Sequence, residues 1–308
     1  MPNSNASIIR KAGTITTGSM AAGLLNPAQS RRFIQQTFEA TTLGSLVRHV
    51  IRTAKTGEID KIGIASRIIR KKTENVDDGY RAGVETSKIE YATTSVRLPW
   101  EITEETLREN IEGENYEEVV TNLMTTQYGC DLLDLYINGD EDTPSSDPDY
   151  DFLKINDGWA KQILNGGHVY DSTASNGLGL DLFYNTLATI PNKYNNGRLR
   201  WIMSPRRAQQ WELYLLEKVI GAGGAVPDSL YDSPVKIPTV QCPFLDDSMI
   251  MLTDPQNLCV VNTYDVRLRK TTEGKEAIMQ DKRFYVSHMD FDPVIEELDA
   301  TAIITGLN

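Results

Sequence analysis

Cysteine and histidine are scarce in this chain, three of each among 308 residues. Cys130, Cys242 and Cys259 are odd in number and widely spaced, which speaks against a disulfide framework or a zinc site and for small buried thiols. His49, His168 and His288 lie far apart. None stands in the H-x-x-x-H or H-E-x-x-H spacing that turns two imidazoles toward one metal. There is no G-x-S-x-G elbow to expose a nucleophilic serine. Gly221-Ala222-Gly223-Gly224 lacks the Gly-Lys-Ser/Thr ending of a phosphate loop, and Lys218 precedes the glycines, so the stretch is expected to be a flexible loop. No apolar run approaches the roughly 20 residues of a membrane-spanning helix. The opening Met-Pro-Asn-Ser-Asn carries no apolar secretory block, which places the folded protein in a cytoplasm. No catalytic, cofactor-binding or metal-binding residues emerge, and the chain is not expected to be an enzyme.

What is present is an ordinary folded composition, 40% hydrophobic and 24% charged, at a length that suits one large or two modest domains. The net charge of −12 is unevenly spread. Residues 1–56 hold seven basic residues against the single acid Glu39, a net of +6, and the remainder carries −18. A basic arm could bind nucleic acid, but no aromatic–basic interleaving supports that. It could equally lie on the acidic body of a neighbouring copy, or be a solvated terminus.

The most organised stretch runs from Trp100 to Gly139. Thr103 is placed as an N-cap before Glu104 and Glu105. A second helix starts at Asn115 with Glu117 and Glu118 in its first turn, where carboxylates complement the dipole more economically than they would serve as paired catalytic acids. Tyr116, Val119, Val120, Leu123, Met124, Gln127 and Cys130 recur at helical spacing and predict one buried face. Asn138-Gly139 offers a left-handed C-cap. A helix over 115–137 spans roughly 34 Å at about 1.5 Å per residue, long enough to act as a spine.

Upstream, residues 1–28 form an extended arm, and Pro27 opens a short helix toward Phe38. Ile62 and Ile64, then Ile89, Tyr91, Val96, Leu98 and Trp100, alternate on either side of a charged segment that ends at Asp78-Gly79. That pattern describes a long β-hairpin. An isolated two-stranded ribbon is marginal in water, so it is expected to rest on something other than its own body. Downstream, the acidic loop Asp140–Asp151 lacks calcium-loop spacing. From Leu178 to Arg269 helix and strand signals alternate: a helix capped by Asp181, a strand Leu199–Met203, a Ser204-Pro205 helix start, and strands Met249–Leu252 and Leu258–Val261. These suggest a compact α/β unit. A strand over Phe284–Met289 is expected to break at Asp292-Pro293. With Ala300–Thr305 it is expected to meet the spine, so that the α/β unit is an insertion.

In that order of elements the chain resembles the tailed-phage major capsid proteins, whose fold is shared with encapsulins and the floor of herpesvirus capsids. The stretches that carry the resemblance are Ile89–Trp100 running into Glu101-Ile102-Thr103-Glu104-Glu105-Thr106-Leu107, Asp134-Leu135-Tyr136-Ile137-Asn138-Gly139-Asp140, and Arg200-Trp201-Ile202-Met203-Ser204-Pro205. The resemblance implies an α+β capsid fold with an N-terminal arm at 1–56 and an extended hairpin loop at 57–98 reaching over a neighbour. A peripheral spine-helix domain would comprise 99–175 and 267–308, and an inserted axial α/β domain 176–266.

The implied function is that of a structural subunit forming pentamers and hexamers in an icosahedral shell around double-stranded DNA. It would be assembled in the host cytoplasm, with a portal, and with a separate scaffolding protein because the arm is short. Interface candidates are Arg70, Lys71 and Lys72 on the hairpin, facing Glu104, Glu105, Glu112 or Glu114 of an adjoining subunit. Lys71, Lys72 and Lys88 also occupy positions where some members cross-link subunits, though ordinary surface lysines explain them as well. An encapsulin-like nanocompartment is the closest alternative, an α/β enzyme built on 178–269 the next, and a nucleic-acid-binding protein using the basic arm the third.

Overall fold

The computed structural model describes residues 23–24, 42–64, 67–71, 79–105, 116–173, 177–221, 233–263 and 267–307. Lys72, Glu112, Glu114, glycines 222–224 and most of the basic arm lie outside them.

The chain begins with β1 (Gly23–Leu24), α1 (Thr42–Leu46), β2 (Arg48–Ile51), β3 (Thr56–Gly63), β4 (Glu85–Ala92) and β5 (Thr94–Thr103). Helices α2 (Tyr116–Asn138), α3 (Tyr150–Leu153) and α4 (Trp159–Gly166) follow, then β6 (His168–Asp171), α5 (Leu180–Thr189), β7 (Arg200–Met203) and α6 (Pro205–Gly221). The remainder comprises β8 (Thr239–Gln241), β9 (Ile250–Thr253), β10 (Leu258–Asn262), β11 (Arg267–Thr271), α7 (Lys275–Gln280), β12 (Lys282–Ile295) and β13 (Ala302–Thr305). No helix among the described residues is long and apolar enough to cross a membrane.

A six-stranded sheet is organised on β12, fourteen residues long. One edge pairs antiparallel with β5 from Lys282 to Phe291. The other takes β11 at Phe284–His288 and then β10 at Phe291–Ile295. The expected break at Asp292-Pro293 does not occur. Pro293 lies past the last β5 pair, Phe291 with Thr94, where β12 has a neighbour on one edge only, and a missing N–H is tolerated there. Strand β10, expected in the α/β unit, pairs with β12 and, in parallel, with β2.

The second sheet has five strands in the order β6-β13-β9-β7-β8. It is buried on both faces, which is why β7, β9 and β13 read as continuous apolar runs. Trp201, Met203, Ile250, Leu252, Ala302 and Ile304 pack toward α5 and α6, where Phe183 stands edge-on to Trp201 and Trp211 with centroids at 4.8 and 5.0 Å. Ile202, Met251 and Ile303 point the other way, into the core shared with the spine helix. Strand β13 shares the spine's core through Ile303, as expected, and does so as an inner strand of this sheet, between β6 and β9. Ser204 caps α6 as its sequence indicates: its hydroxyl accepts from the Arg207 N–H at 3.2 Å. Helix α5 has Gly179, not Asp181, at its N-cap, and Asp181 lies in the first turn.

The spine helix α2 starts and ends within a residue of its predicted limits, and its buried face matches the predicted stripe in part: Val120 is buried and Tyr116 and Met124 pack against the core. Val120, Tyr128, Leu132, Leu133, Leu135, Tyr136 and Ile137 are buried, whereas Val119 and Leu123 are exposed. The apolar face belongs mainly to the C-terminal half, which lies on Trp159 and Phe291. Gly139 is not left-handed. It is required by close approach: a Cβ there would stand 2.3 Å from the Asn156 carbonyl oxygen and 2.8 Å from that of Leu135. Asn138 donates to Asp134 Oδ1 and to the Phe244 carbonyl, both at 2.6 Å, fixing the helix end to the second sheet's flank.

Candidate assembly surface

Strands β3 and β4 form the expected hairpin, pairing Thr56 with Ala92 through Gly63 with Glu85. Its root does pack on the body, contrary to the expectation that the ribbon would find support only elsewhere. Ile59 and Tyr91 are buried against Cys259, Val261 and Val294 on the outer face of the first sheet. Ala92 N–H donates to Asp292 Oδ2 at 2.7 Å, and Lys55 stands 3.4 Å from Asp290. Burial, reinforced by the charge of Glu141 and only partly opposed by the Ala92 N–H, pushes the Asp292 carboxyl up to about 6. Burial likewise pushes the Cys259 thiol up to about 11, as suits a packed rather than reactive thiol.

Beyond the root the hairpin changes character. Ile62 is 70% exposed and Ile69 91%, and Ile64, Ile68 and Val84 are exposed too. Five large apolar side chains exposed on one ribbon are unusual for a solvated loop and make it the candidate contact surface. The outer face carries Glu58 opposite Glu90 and Asp60 opposite Lys88. Lys88 binds Glu58 across the strands, and those acids push its ammonium up. At the tip, the Arg70 guanidinium lies 3.8 Å over the Tyr80 ring, a cation–π contact, and Lys71 is exposed.

The predicted acidic partners lie where β5 turns into helix. Glu105 is exposed, but Glu104 is already engaged within the chain: Arg283 Nε donates to its Oε1 at 2.8 Å. Arg283, buried, also reaches Glu117 Oε2 at 3.3 Å, and Lys270 holds the other oxygen of Glu117. Lys282 binds Glu101 at 3.1 Å, and Tyr285 stacks on Trp100 with ring centroids 5.3 Å apart. The start of the spine is thereby riveted to β5, β11 and β12 through the first-turn carboxylate of Glu117. Sequence reasoning missed this network because its ion-paired members are up to 181 residues apart. Among the described residues no group of three or more His, Cys, Asp or Glu is placed to hold a metal.

No family model matches the sequence. The chain is 27% identical over 317 residues to the "Putative prophage capsid protein YqbE" of Bacillus subtilis (strain 168), covering 97% of this chain and 98% of that protein. A chain of the satellite phage P4 procapsid superposes with a TM-score of 0.65 at 14% identity, covering 98% of this chain and 95% of that one. A virus-like particle from Pyrococcus furiosus gives 0.53 at 12% identity, covering 89% and 96%. The mixed sheet-and-spine architecture, the hairpin and the similarity along the whole sequence agree: the chain has the tailed-phage major capsid fold.

Proposed function

We propose that the chain is the structural subunit of a closed phage-type shell, self-assembling as pentamers and hexamers around double-stranded DNA. The observation that carries this reading is the hairpin, whose apolar residues find no cover among the described residues, in a fold shared with phage capsid chains. Near-complete coverage of a prophage capsid-type relative supports the virion over the nanocompartment, and the weaker likeness to the virus-like particle agrees. The role assigned is structural, not enzymatic. The division into arm (1–56), hairpin (57–98), spine body (99–175 with 267–308) and axial unit (176–266) is part of the proposal, with β10 exchanged into the body sheet and β13 into the axial sheet.

The acidic body repels packaged phosphate, which favours loose packing of DNA against the wall. Arg70, Lys71 and Lys72 are proposed to meet Glu105, Glu112 or Glu114 of a neighbour, with Glu104 contributing only if Arg283 is shared. Exposed pairs are worth about 0–1 kcal/mol each, so their effect arises through repetition around the shell. Unchanged particle stability in an Arg70→Glu, Lys71→Glu, Lys72→Glu variant would remove this pairing from the proposal. A portal, a separate scaffolding protein and assembly in the host cytoplasm complete the reading; uniform closed shells from this chain alone would remove the scaffold.

The deciding experiment is light scattering with negative-stain microscopy of the purified chain, alone and co-expressed with adjacent genes. Rings, tubes, sheets or shells are expected. A monomer or dimer at every concentration and in every combination would return attention to an α/β enzyme on residues 178–269.

A further inference from the structure

The hairpin is supported at two places of different kinds. The first is the apolar root, where Ile59 and Tyr91 meet Cys259, Val261 and Val294. One pleat further along the same inward face stands Lys61, half-buried. A cavity of about 230 Å³ opens beneath it, its lining mixing the charged Lys61, Arg198, Asp254 and Glu297 with Leu199 and Ala300. Lys61 reaches across its rim to pair with the Glu297 carboxylate and to donate to the Glu296 carbonyl at 3.3 Å.

The receiving side is rigidly built. Buried Asn257 grips Glu297 twice: it accepts the Glu297 N–H at 2.8 Å and donates to the Glu297 carbonyl at 2.9 Å. Glu296 N–H donates to the Asn257 carbonyl at 3.0 Å, while Arg48 holds the Glu296 carboxylate at 2.9 Å. Lys61 on the hairpin therefore meets a carboxylate whose backbone is anchored to the body by Asn257. Beyond Lys61 the ribbon carries the exposed residues Ile62, Ile64, Ile68 and Ile69.

We propose that Lys61 and Glu297 form a latch that fixes the angle of the hairpin in the free subunit, and that opening it lets the hairpin pivot about Ile59 and Tyr91. The latch sits on the single chain and stands apart from the shell reading. A solvent-accessible ion pair at the rim of an open cavity is weakened by salt, whereas the apolar packing of Ile59 and Tyr91 is not. Salt thus acts on the angle and leaves the root in place.

The test uses dilute full-length subunit with Cys130→Ser, spin-labelled at Val84→Cys on the hairpin and Glu212→Cys on α6, both exposed positions. Distance distributions are recorded for the parent, Lys61→Glu, Glu297→Lys and the double exchange Lys61→Glu/Glu297→Lys. Each single reversal is expected to raise the population outside the parent peak by about two- to fivefold. The double exchange is expected to restore the peak, and salt to broaden the parent but not a Lys61→Met variant. Singles indistinguishable from the parent, or a double exchange as broad as the singles in protein with unchanged spine helicity, would overturn the latch. Because Lys61→Met introduces no new charge, it keeps the test open should a reversal fail to fold.

Discussion

Two charged residues show most clearly how burial and pairing decide the sign of an effect. Asp292 accepts a hydrogen bond at the hairpin root yet has a carboxyl raised to about 6, because burial disfavours its charge more than one N–H can repay. The unfolded chain releases that proton near 4, so between about 4 and 6 the folded state holds more protons and this residue's contribution to stability falls as pH rises. Asp292→Asn, which retains an acceptor for Ala92, is expected to gain of the order of 1–3 kcal/mol over the parent at pH 7.5 and almost nothing at pH 4, read from paired denaturant titrations. Arg283 behaves oppositely. Its removal strands Glu104 and weakens the hold on Glu117, so Arg283→Met is expected to cost about 2–4 kcal/mol in the same assay. Arg283→Lys is expected to recover only part, since an ammonium lacks the fork that serves two carboxylates.

Among the elements, the spine helix was legible because its start, periodicity and end are local signals, and its limits emerged within a residue. Its buried face was legible only in part: Tyr116, Val120 and Met124 pack on the core as their spacing indicates, whereas Val119 and Leu123 carry the same spacing and are exposed. The Gly139 signal was visible and its cause was not: the position needs an absent side chain, not a left-handed backbone. Gly139→Ala is therefore expected to destabilise by about 1–3 kcal/mol or more, the cost of forcing backbone apart, whereas a left-handed cap would yield a smaller change. Thermal unfolding monitored by the spine's helical signal distinguishes the two. Strand identity was likewise readable while strand partnership was not. β9 and β10 flank one Asp254-Pro255 turn yet enter different sheets, and Pro293 sits within a strand because of where β5 happens to stop. Of the surface, the tip charges could be read directly, but Lys61 and Glu297 are separated by 236 residues and only the fold joins them.

Across the whole molecule, apolar area is disposed unevenly. The body buries its large side chains in two clusters on either side of the five-stranded sheet, and the hairpin beyond its root leaves its own uncovered. Ile62→Asp/Ile69→Asp is accordingly expected to abolish particles by microscopy while leaving the circular dichroism and melting of the subunit nearly unchanged. Loss of the fold together with assembly would mean those residues serve the subunit itself.

One further consequence follows from β13. Residues 302–305 slot between β6 and β9, and the neighbour in β6 was laid down about 130 residues earlier. A nascent chain on the ribosome must therefore hold that sheet open, with an inner plank missing, until residues 302–305 have emerged. Synthesis itself then acts as a timer: half-made subunits lack a finished α/β unit, and premature termination products are poor competitors for a place in the lattice.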